Sequence, residues 1–496
     1  MQRGRPQTDY EPVTRSRRPR LLESEDAGRE VWTVKAKSST SEADNSDADT
    51  SAPDEPQSSR KKAPLTFLKR GHTLTYAGLF LFTVVLYARP AEFYPSPLTQ
   101  SLAFIIAVAT LIVFVPTQFS LEGTLTARPR EVNLLLLFCL AGLISIPLAT
   151  GPAYAWAAFS DTFIRCVVIF IVMINAVRTE ARLKGLLLIA LVVGIWLSVG
   201  AINDYRLGLA TVEDYRVGGR GTGIFGNPND MALFLVTIVP VAIALFFGTR
   251  GPIRKILYAA CALLMMAAIV LTYSRGGFLG LLVALGFLAW KLGRRHRLSI
   301  GLCTLLIFVL LIALAPGNYT MRLLSIFVPS LDPVGSSSSR KAELLRSIQV
   351  AVNNPVFGVG MGNYAPFMSV REHVTHNTYT EVAAEMGMAA LCLYVMFVVT
   401  PLRRLGQVAR ETFGARENSR YYYLAVGLQA SLLGYMVSSF FASVAYLWYV
   451  YYLVAYAVCL RRLYESETGR MVVVEKKRER KQREGRRSAL LESESA

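Results

Sequence analysis

Apolar residues in this chain gather in long blocks instead of recurring at the spacing of a half-buried helix or strand. The blocks fall roughly at 74–88, 98–116, 132–149, 157–177, 183–202, 229–248, 254–273, 277–291, 298–315, 379–401, 421–441 and 443–460. Each is on the order of 20 residues, the length a helix needs to cross ~30 Å of hydrocarbon. Lipid offers the backbone no hydrogen-bond partner, so such blocks must be helical. The pattern predicts an all-α polytopic membrane protein with about twelve transmembrane helices. The fourth block is the least regular, because Asp161 and Arg165 interrupt it at a spacing that lets them pair.

Polar stretches set the remaining boundaries. Residues 1–63 form an N-tail in which Ser38–Ser59, rich in Ser, Asp and Ala, reads as disordered. No signal peptide is visible, since the first apolar block starts near Leu74. Residues 64–315 carry spans one to nine, 316–378 form a long outer loop, 379–461 carry the last three spans, and 462–496 form a polybasic tail. That tail reads as a solvated cytoplasmic segment held near anionic lipid. Within the long loop, Leu344, Leu345, Ile348 and Val352 recur at helical spacing, so Arg340–Asn353 reads as a short amphipathic helix lying along the membrane surface. The run Gly358–Gly362 ends it. The two tails share the pattern R-R-x-x-L-L-E-S-E, at Arg17–Glu25 and Arg486–Glu494, and nothing in the sequence gives it a role.

Composition agrees: 53% of the 496 residues are hydrophobic and the mean hydropathy is +0.37. A net charge of +18 would suit nucleic acid, but its distribution argues for a membrane and no nucleic-acid partner. With the N-tail inside, 42 of the 53 Lys and Arg residues fall on the inner side. Cytoplasmic loops carry such an excess, so both termini are expected in the cytoplasm. All six cysteines lie within apolar blocks, so neither a disulfide nor a cysteine metal site is expected.

The few outer cations are then the first functional candidates, because topology does not require them and charge near hydrocarbon is costly. Four places stand out. RGTGIFGNPND, Arg220 to Asp230, precedes the sixth span. Asn227, Pro228 and Asn229 read as a turn, with Asn229 or Asp230 capping the next helix, and Arg216 lies just upstream. A helix N-terminus beside Arg and glycines suits an anion, although a plain cap explains the same residues. TYSRGG puts Ser274 and Arg275 in a very short hairpin, where Gly276 and Gly277 permit close approach. Arg275 reads otherwise as a snorkelling helix-end residue. Arg340 and Arg346 sit on the amphipathic helix, where basic headgroup contacts are the simpler account. His376 and Asn377 stand at the mouth of the tenth span, with Glu381 and Glu385 beyond. His376 is either a general base or a residue that caps the helix. A metal site of Glu372, His373 and His376 is a third reading, on a spacing that matches no strong ligand motif.

Taken in order, RGTGIFGNPN, TYSRGG, SSR…NNPVFGVGMGN and HNTYTEVAAEMGM resemble the O-antigen ligase and polymerase superfamily of bacterial membrane proteins, over about residues 200 to 400. The resemblance implies a metal-independent, cofactor-free glycosyltransferase of the bacterial inner membrane, acting in lipopolysaccharide or exopolysaccharide synthesis. Its donor would be a glycan on a polyprenyl pyrophosphate, with undecaprenyl as the expected polyprenyl. The acceptor would be a hydroxyl of another glycan, of lipid A core or of a protein on the periplasmic face. A polymerase would add a chain-length regulator as partner. By motif, Arg220 and Arg275 would hold the pyrophosphate, with Arg216 as a substitute for Arg220 and Arg340 accessory, while His376 would be the base. Asn227, Asn229, Ser274 and Asn377 would contact substrate. A transporter or flippase of lipid-linked glycan is the competing class. It would be expected to carry charges along its central helices, whereas only Asp161 and Arg165 lie mid-block.

Overall fold

The structure is a computed structural model that describes residues 71–209, 215–219, 224–292, 301, 302, 306, 309, 336–367, 374–414 and 420–469. The N-tail, most of the ninth apolar block, the start of the long loop and the polybasic tail lie outside the described residues. So do Arg220, Glu372 and His373.

The regular elements are helices: α1 Thr73–Ala88, α2 Pro90–Phe93, α3 Pro97–Glu122, α4 Arg130–Ser145, α5 Pro152–Ala158, a π-turn Phe159–Phe163, α6 Ile164–Ala176, α7 Glu180–Arg206, α8 Pro228–Gly248, α9 Pro252–Leu271, α10 Arg275–Leu292, α11 Ser336–Asn353, α12 Tyr364–Phe367, α13 Thr378–Glu411, α14 Arg420–Ser438, a 3-10 turn Ser439–Phe441 and α15 Trp448–Glu467. Local signals explain their limits. Ser96 and Thr99 form a capping box with Pro97 in the first turn of α3, and Gly123, at φ 64°, ends that helix. Thr179 caps α7 by accepting from Arg182 N.

Nine helices among the described residues are long and apolar enough to cross a membrane. Two more apolar blocks became helices that fall short for different reasons. With 16 residues, α4 is brief. α15 is buried on all sides from Trp448 to Leu460, so it meets protein instead of lipid and tolerates tyrosines. Three of their hydroxyls find partners: Tyr449 donates to Ile224 O at 2.6 Å and Tyr451 to Ala445 O at 2.8 Å, and Tyr452 shares a 2.9 Å bond with Thr83. By contrast α3 has a mean hydropathy of 2.4 with only 11% of its residues buried, the mark of a helix wrapped by lipid. The irregular fourth block starts earlier than expected, at Pro152, and absorbs its polar interruption in the π-turn.

Hydrogen bonds and ion pairs sort the loops into two ends. At one, His72 bonds Gln118 at 2.9 Å, Arg178 pairs with Glu122 at 2.6 Å, and Arg461 grips the buried Glu131 carboxylate at 2.7 and 3.1 Å. At the other, Thr150 N donates to Val359 O at 3.0 Å, Val217 N to Leu271 O at 3.3 Å, and Thr375 shares a 2.8 Å bond with Ser443.

A break in α13 organises this second end. Gly387 sits at φ 83° and ψ 176°, outside helical space. The groups it frees are taken by the chain after α11: Val359 N and Gly360 N donate to Ala384 O and Glu385 O, each at 2.9 Å, and Met388 N donates to Pro355 O at 2.8 Å. Irregular backbone inside a membrane protein survives where protein satisfies it in this way. The amphipathic helix begins at Ser336, four residues before its expected start, and packs on α13. Val350 and Ala351 are its buried apolar residues, whereas Leu345, Ile348 and Val352, from the face singled out by spacing, are exposed by 59%, 42% and 69%.

Candidate functional site

Arg275 opens α10 and is only 6% exposed. The hairpin before it is shaped by its own side chains: Ser274 N donates to Thr272 Oγ1 at 3.2 Å, and Gly277 N donates to Ser274 Oγ at 3.2 Å. Gly276 and Gly277 let α10 seat tightly. A Cβ on Gly276 would lie 2.6 Å from Phe441 Cβ, and one on Gly277 2.6 Å from Ala232 Cβ. Ser438 Oγ completes the seat by donating to Gly276 O at 3.1 Å.

Arg216 reaches the same hairpin. Its Nε donates to Thr272 O at 3.0 Å and its Nη2 to Asn229 Oδ1 at 2.9 Å, with the side chain 3% exposed. The expected cap shifts here. Asn227, not Asn229 or Asp230, caps α8 by accepting from Asn229 N at 2.8 Å, because Pro228 already supplies the first helical residue. Asn229 is thereby released to hold Arg216. The segment containing Arg220 lies outside the described residues, yet its flanks meet, Gly219 N donating to Phe225 O at 2.8 Å.

His376 lies just before α13 with φ 50°, a left-handed backbone. It is not the cap. Asn377 is, its Oδ1 accepting from Tyr379 N at 2.9 Å and Thr380 N at 3.1 Å. Asn377 is 2% exposed, and its Nδ2 makes no hydrogen bond among the described residues. Around it, Thr378 Oγ1 donates to Ala442 O at 2.6 Å and accepts from Val444 N at 3.1 Å, and Glu381 Oε2 accepts from Ala445 N at 3.3 Å.

One short segment therefore joins both candidates. Residues 438–445 are fastened to the start of α10 through Ser438 and Phe441, and to the start of α13 through Ala442, Ser443, Val444 and Ala445. Arg216 and Asn229 reach the hairpin before α10 that holds Ser274 and Arg275, and His376 and Asn377 lead into α13. Arg340 stands apart on α11, which is tied to α13 by a 2.9 Å bond from Ser347 Oγ to Thr380 Oγ1. Arg346 is engaged by Glu343 at 2.8 Å. Among the described residues no three His, Cys, Asp or Glu side chains gather as metal ligands, and Glu372 and His373 fall outside them.

Sequence reasoning passed over the role of Glu385. Its buried carboxylate accepts from Gly362 N at 2.9 Å and Tyr364 N at 3.1 Å, pinning the inserted loop to α13. An acid inside an apolar block was the signal for it. Burial, reinforced by the Glu343 carboxylate, pushes the nearby Tyr364 hydroxyl well up, so it stays a donor.

Chemically, this end of the bundle carries the buried guanidinium groups of Arg216 and Arg275, the His376 imidazole and the Asn377 amide donor. That set suits an anion that must be held while a proton is removed nearby. Residues 260–395 match the family model described as O-Antigen ligase. The match takes in Arg275, Arg340, His376 and the break at Gly387, and begins after Arg216, Arg220, Asn227 and Asn229. No curated protein matches the chain.

Proposed function

With an O-antigen ligase domain over residues 260–395, we propose that this protein transfers a glycan en bloc from a polyprenyl-pyrophosphate donor to an acceptor hydroxyl at the periplasmic face of the inner membrane. The observation that carries the reading is the shared segment 438–445, which fixes the Arg275 and His376 helix starts to one another. Arg275 with Arg216 or Arg220 holds the pyrophosphate, and Arg340 adds charge from α11. As the anomeric C1–O bond breaks, negative charge builds on the phosphate oxygens, and guanidinium groups fixed beforehand stabilise it. His376 takes the proton of the acceptor hydroxyl as that oxygen bonds to C1. Polyprenyl pyrophosphate leaves from the opposite face, so the anomeric configuration inverts. Asn377 Nδ2, buried without a partner among the described residues, donates to substrate oxygen. No metal ion enters these steps.

The purified protein, given a synthetic polyprenyl-pyrophosphate glycan with and without chelator, tests this. A ladder of repeat-unit multiples, indifferent to chelator and lost in Arg275→Ala and His376→Ala, is the expected polymerase outcome. Transfer only after lipid A core or a protein acceptor is added identifies a ligase. No transfer to any acceptor, with both variants binding donor like the parent, overturns the enzyme reading in favour of a transporter.

A further inference from the structure

A second cationic place lies at the same end of the bundle, away from Arg275. A cavity of about 440 Å³ opens between α1, α3 and the turn joining α5 to α6. Its walls are apolar, with Phe82 and Leu86 from α1, Ala103 and Ala107 from α3, and Val168 from α6. Its rim carries Arg89, Gln100, Asp161 and Arg165. Its far wall includes Ile224 and Leu447, which belong to the loops bordering the Arg216 and His376 regions.

Four separate features mark this rim. Arg89 ends α1 as a left-handed cap at φ 46°, its N–H donating to Val85 O, which fixes the residue at the rim. Its Nε pairs with Glu92 at 2.9 Å, while its Nη1 is buried and makes no hydrogen bond among the described residues. Arg165 lies 53% exposed, and Asp161 engages it only at 3.9 Å, so this guanidinium too has donors to spare. Asp161 itself belongs to the π-turn Phe159–Phe163, a distortion that commonly accompanies binding sites. Charges midway along an apolar block are costly unless they face a cavity or a polar ligand.

We infer that this cavity seats the phosphate end of a second polyprenyl-linked substrate, the acceptor, which slides in sideways from the bilayer. Arg89 and Arg165 grip the phosphate, and the first isoprene units lie along α1 and α3. The inference rests on the transfer reaction proposed above, which needs two substrates at one end of the bundle. A single chain fits a cavity of this volume, which is the size of a small-ligand pocket.

Binding of labelled undecaprenyl phosphate to the purified full-length protein tests the seat without requiring activity. Two molecules per chain are expected. Arg89→Ala/Arg165→Ala should weaken one of them by at least about tenfold, the loss of charge-assisted contacts, and leave the other untouched. Ala107→Trp, which fills the cavity without touching a charge, should remove the same molecule. Arg275→Ala should remove only the other. A doubly substituted protein with unchanged melting that still binds two molecules overturns the inference, as does undecaprenol binding as tightly as its phosphate. Equal competition by dioleoyl phosphatidic acid also overturns it, because the seat would then be a general phospholipid site. If Arg275→Ala binds two molecules while the Arg89/Arg165 variant binds one, the donor assignment fails and the seat stands.

Discussion

Arg275 is buried as the first residue of α10, and its neighbours leave it one tight location. A lysine there keeps the charge but loses the planar fork that grips phosphate oxygens. Arg275→Ala should lower transfer by about 100-fold or more, as loss of one fixed transition-state donor does, and Arg275→Lys should recover only part of it in the same purified assay. His376 calls for a different substitution. Its φ of 50° is tolerated best by Asn among residues with a side chain. His376→Asn therefore preserves the turn while deleting the base, and should cost about 10²- to 10⁴-fold in rate with unchanged melting. A third residue, His72, affects stability and not catalysis. Burial, then the Arg178 charge, lowers it from 6.5 to about 4. The folded protein thus keeps the ring neutral, bonded to Gln118 at 2.9 Å, whereas the unfolded chain takes up a proton near 6.5. Stability from this group is complete above pH 6.5 and falls as pH drops towards 4. Melting temperatures measured across that window should decline less steeply in His72→Phe than in the parent.

The helices themselves were readable because lipid forces every apolar block to be helical, and the long loop was readable because no apolar block fills 316–378. The break in α13 was not. Gly387 lies in a run of Ala, Met and Leu that reads as continuous helix, and its φ of 83° is imposed by a loop more than twenty residues earlier in the chain. Long-range pairing of that kind has no local period. The expected surface helix was similarly half legible: its spacing showed the exposed apolar face, while the face held by Ser347, Val350 and Ala351 was set by α13. The break makes a sharp prediction. An alanine at 387 would have to hold φ 83° and ψ 176°, a region that essentially only glycine enters and that costs about 1–3 kcal/mol, and its Cβ would collide with the Val356 carbonyl oxygen. Gly387→Ala should lower the melting temperature, raise hydrogen exchange at 355–364 and depress transfer. Gly414→Ala, where nothing lies within 4 Å of an added Cβ, should do none of these.

Every candidate of the proposed centre that can be followed in the structure lies at one end of the bundle, the end where residues 150, 217 and 443 meet their partners. The buried pair Arg461–Glu131 and the Arg178–Glu122 bridge hold the opposite end. Chain direction fixes which loops belong together, but only the distribution of Lys and Arg says which end faces the cytoplasm, since a bundle contacts itself identically in either orientation. The two kinds of information are independent, and a labelling experiment can set one against the other. In a cysteine-free background, Leu209→Cys lies just past α7 at the candidate-site end and Leu125→Cys just past α3 at the other, and the parent leucines are 53% and 60% exposed. In intact cells stripped of their outer membrane, an impermeant thiol reagent should label position 209 at once and position 125 only after the inner membrane is opened. The reverse pattern would put the arginines and His376 in the cytoplasm. Polyprenyl-linked glycans would then have to be used before export, and the donor proposed here would be the wrong one. Labelling of both positions in intact cells would mean that an odd number of crossings separates α3 from α7, and the twelve-span count would have to be redrawn between those helices, where the π-turn interrupts the span.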